Sequence, residues 1–317
     1  MDRLIRIGRK LPPLDPATLP GKGRPDWVQA DEAFIGRSIA RARARENGGW
    51  VVVDAARHIT AKPRRYDLCD REWVVWRNPD GVVVAPNDCP HMGAPLCDGR
   101  VEGGKVVCPW HGLALGARGH AGWKPAPVFD DGVLLWARLL DHEAPTDRPL
   151  ISPRPERFLD GVIRMEARCD AEDMIANRMD PWHGTWFHPH SFGALTMISV
   201  DEDLLALRVA FKVLGRLAVE VDCTFHAPTG RSIVMTITGG DGVSSVVETH
   251  ATPIGPGRSA LIEATLAYSD RQGFPYMYAI RDLVRPFIEA RAARLWVEDV
   301  AYAERRYALR NRAIAAR

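Results

Sequence analysis

Two short stretches of this 317-residue chain gather the residue types that hold metals. The first reads CPHMGAPLCDGRVEGGKVVCPWHG, Cys89 to Gly112, and sets Cys89-Pro-His91 and Cys108-Pro-Trp-His111 sixteen residues apart. Two thiolates and two imidazoles would satisfy zinc, but Cys2His2 fingers pair cysteine with cysteine and histidine with histidine along the chain. Here each half supplies one of each. That order fits a [2Fe–2S] cluster in which the cysteines hold one iron and the histidines the other. Neutral imidazoles in place of anionic thiolates make the electron easier to add, raising the potential to roughly −150 to +300 mV. Pro90 and Pro109 fix the loop turns, and Gly93, Gly99 and Gly112 let the backbone approach a cluster. The alternative is a zinc site, or four unrelated buried residues.

The second stretch, NRMDPWHGTWFHPH from Asn177 to His190, says what the electron would serve. Asn177, Asp180 and His183 follow at i, i+3 and share one side of a helical turn. His188 lies five residues past His183, about 140° round an ideal helix, so an undistorted helix would not aim both imidazoles at one metal. Pro181 and Gly184 therefore mark a kink or a helix end. Two histidines and a carboxylate, with positions left open, form the facial triad of non-haem Fe(II) oxygenases. The carboxylate is sought in RLWVEDVAYAERR. Asp299 shares a helical face with Leu295, Trp296, Tyr302 and Ala303, and an inward carboxylate needs a partner such as a metal. Glu298, with Arg294, Tyr302 and Arg305 near it, reads as a solvated ion-pair face; it stands as the alternative to Asp299, and His190 as the alternative to His188.

Taken together, these motifs resemble those of the Rieske-type aromatic-ring-hydroxylating and demethylating oxygenases, above all their shorter monooxygenase members. The resemblance spans about residues 50–317. It implies an α+β chain: an all-β Rieske [2Fe–2S] domain, then a helix-grip-like catalytic domain with a curved antiparallel sheet around a long C-terminal helix. It implies that Cys89, His91, Cys108 and His111 hold the cluster, and that His183, His188 and Asp299 hold a mononuclear Fe(II). Asp180 would bridge an iron-ligating histidine and a cluster histidine of a neighbouring subunit in a head-to-tail homotrimer, and Asn177 would stand near the iron. Leu115 departs from the pattern, since many relatives carry an aromatic residue there. Cys97 reads as a small buried apolar residue.

Other features bound the rest. Apolar content of 46% and charge of 26% suit a soluble globular chain, and a net charge of +2 gives no argument for nucleic acid. No apolar run approaches a membrane span and the N-terminus lacks a signal-peptide core, so the expected address is cytoplasmic, with reduced thiols. Three parts are expected: residues 1–47 as a Pro/Gly-rich arm plus a short helix, 48–150 as the Rieske domain with its linker, and 151–317 as the catalytic domain. Arg37, Arg41, Arg43 and Arg45 form a basic stripe on the short helix, either a solvated face or a docking surface for an acidic partner.

The β-type runs WVVVD, EWVVWRN, VVVAP, GKVVC and GVLLWARLL build the first domain. In the second, LAVEVDCTF puts Val219, Val221, Cys223 and Phe225 on one face, as in a sheet wet on the other side. A helical region is expected from about Tyr276 to Arg312.

The leading expectation is a terminal oxygenase that uses O2 to hydroxylate or oxidatively demethylate a small organic molecule. No glycine-rich dinucleotide fingerprint follows a strand, so a separate NAD(P)H-dependent reductase, with or without a ferredoxin, must supply electrons. The alternatives are a Rieske electron-transfer or redox-sensing protein whose second domain binds a ligand without oxygen chemistry, and a zinc-stabilised binding module. Trp182, Trp186, Phe187 and Phe192 flank the iron segment and few charges do, which favours an apolar, aromatic or terpenoid-like substrate.

Overall fold

Short apolar β-type runs become two β-rich domains in the computed structural model, which describes residues 4–21 and 23–315. The N-terminal segment carries β1 (Ile5–Ile7), α1 (Asp26–Gln29) and α2 (Glu32–Arg43). The first domain follows with β2 (Trp50–Ala55), β3 (Arg64–Leu68), β4 (Arg71–Asn78), β5 (Gly81–Pro86), β6 (Arg100–Glu102), β7 (Lys105–Val107), β8 (Ala114–Leu115), β9 (Val128–Asp130) and β10 (Leu134–Arg138). They form three small sheets, β2-β10-β9, β3-β4-β5 and β6-β7-β8. Val74, Trp76, Leu96, Leu115 and Trp123 pack beneath the two cysteine–histidine loops. The buried indoles of Trp76 and Trp123 donate to the carbonyls of Gly104 and Pro86, so the core holds no unpaired N–H there.

The second domain comprises β11 (Leu159–Ala167), α3 (Ala171–Arg178), α4 (Gly184–Phe187), β12 (Phe192–Val200), β13 (Leu205–Leu214), β14 (Leu217–Thr229), β15 (Ser232–Gly240), β16 (Val246–Gly255), β17 (Arg258–Ala267), α5 (Phe274–Ala279) and α6 (Arg281–Ala315). Its sheet runs β11-β17-β16-β15-β14-β13-β12, antiparallel at every step. Helix α6 packs against this sheet, with Trp296 and Ala303 fully buried in the core that α3 also joins. Burying a side chain of that size contributes on the order of 1.5–3 kcal/mol. Strand β12 was not among the expected strands. Most of its residues are half-buried on both faces, so no clean alternation betrays it.

The N-terminal segment is built into the second domain. β1 pairs in parallel with the first residues of β14, Ile5 opposite Leu217. Phe34, Ile35, Ile39 and Ala42 of α2 enter the core of the second domain. The basic stripe is a solvated face tied to the chain by ion pairs: Arg37 and Arg41 meet Glu202, Arg41 and Arg45 meet Asp203, and Arg43 meets Glu172. These pairs are exposed, so the apolar face of α2 contributes more than they do.

The two domains share a core. Trp50, Val52 and Trp136 pack with Val234, Ile262 and Leu266, and Thr252 Oγ1 donates to the carbonyl of Val52 at 2.7 Å. Half-buried at this junction, Arg154 makes two hydrogen bonds to Glu248, at 2.6 and 2.7 Å, and reaches Asp131 at 3.1 Å. Among the described residues no helix is long and apolar enough to cross a membrane.

Candidate active site

The cluster loops are near-copies of each other. Gly93 N–H donates to the carbonyl of Cys89 at 2.8 Å, and Gly112 N–H to that of Cys108 at 3.0 Å. Both glycines turn at positive φ, +75° and +74°, where a side chain would strain the backbone although neither site is crowded. Gly99 is the tight one: a Cβ there would lie 2.2 Å from the carbonyl oxygen of Val107. Cys89 and Cys108 are buried, while His91 and His111 stand exposed at the loop tips with ring centroids 4.8 Å apart.

Burial pushes the Cys108 thiol up, but the backbone N–H groups of His111 and Trp110 outweigh it and hold the pKa below the usual value. For Cys89, burial prevails over the N–H of His91 and the pKa rises. N–H groups aimed at sulfur are what thiolates of a cluster need. Among the described residues, only His183, His188 and Asp299 offer three ligand atoms within 4.8 Å of one another. Cys89 lies beside Cys108 and His91 beside His111, an arrangement that suits a cluster with the cysteines on one iron and the histidines on the other.

The second centre depends on a broken helix. Helix α3 ends at Arg178, Asp180 takes a non-helical φ/ψ of −111°/76° ahead of Pro181, and a 3-10 turn, Pro181–His183, leads into α4. This break brings the imidazoles of His183 and His188 to 5.2 Å between centroids. Asp299, from α6, closes the set: its Oδ1 lies 3.2 Å from His183 Nε2 and 2.7 Å from His188 Nε2. Each ring is held from behind. His183 Nδ1 faces the backbone carbonyl of Asp180, and His188 Nδ1 lies 2.5 Å from Glu298 Oε2. With Nδ1–H donated to these oxygens, both Nε2 lone pairs and Oδ1 point at one place, and three acceptors require a cation between them.

The polar atoms left over agree. Asn177 is fully buried and its Nδ2 donates to Asp299 Oδ1 at 2.9 Å. Asp299 Oδ2 and Asn177 Oδ1 are buried without a hydrogen-bond partner. Burial pushes the Asp299 carboxyl up, but the two histidines and nearby Arg178 overcome it and hold its pKa far below the usual range. Burial lowers His188, and the two carboxylates on either side reverse that and raise it. The donor set and its orphaned oxygens fit a divalent metal such as iron.

Asp180 is 8% exposed, and burial raises its pKa. Its Oδ2 accepts from Tyr302 O–H at 3.2 Å and lies 3.7 Å from His183 Nδ1, while Oδ1 is buried and unpartnered. Tyr302 also stacks on His183, centroids 5.3 Å apart. His190, the alternative to His188, is excluded from the triad and sits 3.8 Å from Glu298. Glu298 is therefore not on a solvated ion-pair face. It turns back to His188, a role that helical spacing did not reveal because its partner comes from another element.

A cavity of about 460 Å³ opens beside these residues, walled by Phe192, Leu207, Val209, Phe225, Ile233 and Met235. That volume suits a small organic molecule. Its polar floor is the Arg178–Glu263 ion pair with Thr249 and the Trp296 indole, which donates to Glu263 at 2.6 Å. Of the aromatic residues flanking the segment, Phe192 lines the cavity, Trp182 is buried, and Trp186 and Phe187 face outward.

Comparison with known proteins matches residues 49–130 to the Rieske [2Fe-2S] domain and residues 140–314 to a family described as a domain of unknown function (DUF5914). The vanillate O-demethylase oxygenase subunit of Pseudomonas sp. (strain HR199 / DSM 7063) is 28% identical over 261 residues, covering 75% of this chain and 71% of that protein. The oxygenase component of dicamba O-demethylase from Stenotrophomonas maltophilia is 30% identical over 159 residues, 44% of this chain and 46% of that one. Among solved structures, dicamba monooxygenase bound to dicamba overlays with a TM-score of 0.67 at 18% identity, covering 85% of this chain and 90% of that one.

Proposed function

Because this chain belongs to the Rieske non-haem iron oxygenases, its C-terminal half falling in the DUF5914 family, we propose that it is a terminal oxygenase component acting on a small aromatic or otherwise apolar molecule by hydroxylation or oxidative demethylation. The observation that carries this reading is the convergence of His183 Nε2, His188 Nε2 and Asp299 Oδ1 beside an apolar cavity, with Asp299 Oδ2 unpartnered. His183, His188 and Asp299 would hold the mononuclear iron, and Cys89, His91, Cys108 and His111 the cluster. When bound, these groups supply an O2-activating centre and a one-electron store.

The remaining work falls to the chain itself. Glu298 and the Asp180 carbonyl keep the Nδ1 protons of His188 and His183, so each Nε2 stays free to ligate. Asn177 steadies Oδ1 of Asp299 and leaves its own carbonyl oxygen beside the cavity. The walls exclude water from the reacting end and orient the substrate by shape. Removal of a methyl group from an aromatic ether is favoured by the named relatives, one a vanillate and one a dicamba O-demethylase component.

Asp180 presents a buried, unpartnered Oδ1 next to His183. That atom suits an imidazole N–H arriving from outside the protomer, and His91 and His111 are exposed donors. A homotrimer in which one subunit's cluster loops meet the next subunit's Asp180 would complete the electron path, fed by a separate NAD(P)H-dependent reductase, with or without a ferredoxin, in the cytoplasm.

The test is iron and acid-labile sulfide on anaerobically handled protein. About three irons per two sulfides are expected, falling to about two per two in His183→Ala. If His183→Ala leaves the iron count unchanged, the assignment of the second centre is wrong.

A further inference from the structure

The cavity lining carries two cations with no carboxylate partner among the described residues. Of the ionised side chains lining it, Arg178 pairs with Glu263, and Asp299 and Asp180 belong to the histidine centre. Lys212 and Arg291 are left, and among the described residues neither has a carboxylate partner. This differs from the expectation that few charges lie near the iron segment, because both come from elements distant in sequence, β13 and α6.

The two cations are neighbours on the cavity lining, since the Arg291 guanidinium bonds the backbone carbonyl of Lys212. Lys212 Nζ donates to the carbonyl of Pro189 at 2.5 Å, one residue past His188, and its backbone N–H donates to the Ser191 carbonyl at 2.8 Å. Arg291 bonds the carbonyls of Lys212 and Val213, the latter at 3.4 Å, and lies near enough to His190 to act on its charge. Backbone carbonyls hold both heads in place without cancelling their charge. A guanidinium has five N–H donors and an ammonium three, so most remain unused. Apart from the histidine centre and the polar floor around Arg178 and Glu263, most of the lining is apolar.

We infer that Lys212 and Arg291 form an anion-recognising rim, and that the substrate is an organic acid whose apolar body fills the cavity and whose carboxylate-type group meets this rim. Calling the ligand a substrate rests on the oxygenase reading; the binding itself does not. Lys212 is half-buried and Arg291 exposed, so the preference is moderate, on the order of tenfold.

The experiment uses the full-length, cluster-loaded protein and two fluorescent probes that share an aromatic body. One is 8-anilinonaphthalene-1-sulfonate, an anion, and the other is N-phenyl-1-naphthylamine, which is neutral. In Lys212→Met/Arg291→Met, the anion should bind about tenfold more weakly while the neutral probe changes by less than about twofold. The charge-conserving Lys212→Arg/Arg291→Lys should keep the wild-type preference. Unchanged anion affinity, equal loss of both probes, or no binding of the anion to wild type would each overturn the rim. Iron and sulfide counts on the same samples keep this outcome separate: a protein short of mononuclear iron that still shows the charge preference refutes the oxygenase reading alone.

Discussion

Glu298 grips His188 from behind, its Oε2 2.5 Å from Nδ1, while the neighbouring Asp299 meets the Nε2 of the same ring at 2.7 Å. Two consecutive carboxylates thus do different work on one imidazole. Asp299 is 1% exposed and offers a free oxygen; Glu298 is 37% exposed and fixes the tautomer. Asp299→Asn should therefore lose the third iron with the sulfide count unchanged. Glu298→Gln should keep that iron but bind it on the order of 10–100-fold more weakly, as is usual for the partner of a ligating histidine. Chelator-challenge kinetics on the two variants check this, and equal retention in both would contradict the division of labour.

Asp180 is expected to matter for electron delivery rather than for metal loading. Its Oδ2 is engaged by Tyr302 and its Oδ1 is not engaged at all. Asp180→Asn should retain both metal centres and slow oxidation of the reduced cluster in the presence of substrate and O2 by on the order of 10–100-fold. Tyr302→Phe, which removes only the hydroxyl, should have a smaller effect. Stopped-flow absorbance of the cluster is the readout, and loss of iron in Asp180→Asn would assign this residue to ligand support instead.

The N-terminal segment reaches the ligand-bearing turn directly. Gln29 accepts from the Trp182 indole at 3.2 Å and Asp26 from the Trp186 indole at 2.9 Å, so α1 holds the residues on either side of His183. Each hydrogen bond is worth about 0.5–1.5 kcal/mol, less where it is exposed as at Trp186. Asp26→Ala/Gln29→Ala should cost on the order of 1 kcal/mol in urea unfolding and should weaken iron retention measurably. Iron retention equal to wild type would leave α1 with a purely structural part.

The domain junction predicts a pH dependence of its own. Burial raises the Glu248 carboxyl, but Arg154 and then His250 outweigh it and bring its pKa down to about 2. A depressed carboxyl pKa contributes stability that is present above the unfolded value of about 4.5 and is lost as pH falls through the folded value. Unfolding should therefore become easier between about pH 4.5 and 2, by at most about 3 kcal/mol. Glu248→Gln should flatten that part of the acid limb and lower stability at neutral pH, because Arg154 then keeps only Asp131. Urea midpoints measured across this range decide it.

Much of the molecule could be read from local pattern. The cysteine–histidine order and the break at Asp180-Pro181 depend on near neighbours, and most strands of both domains stood out as short apolar, β-branched runs. Strand β12 escaped because it is half-buried on both faces, and Glu298 was misread because helical spacing shows a residue's neighbours on its own helix and nothing beyond it. Sequence by itself thus determined the donor atoms, their spacing and the α+β order of domains. Tertiary structure alone decided that α6 brings Asp299 to the histidines, that α1 braces the turn between them, and that Lys212 and Arg291 line one cavity. The reason is physical: each of these contacts joins elements far apart in the chain. Their meeting is decided by how the sheet curves and packs on its helix, and no local periodicity encodes that.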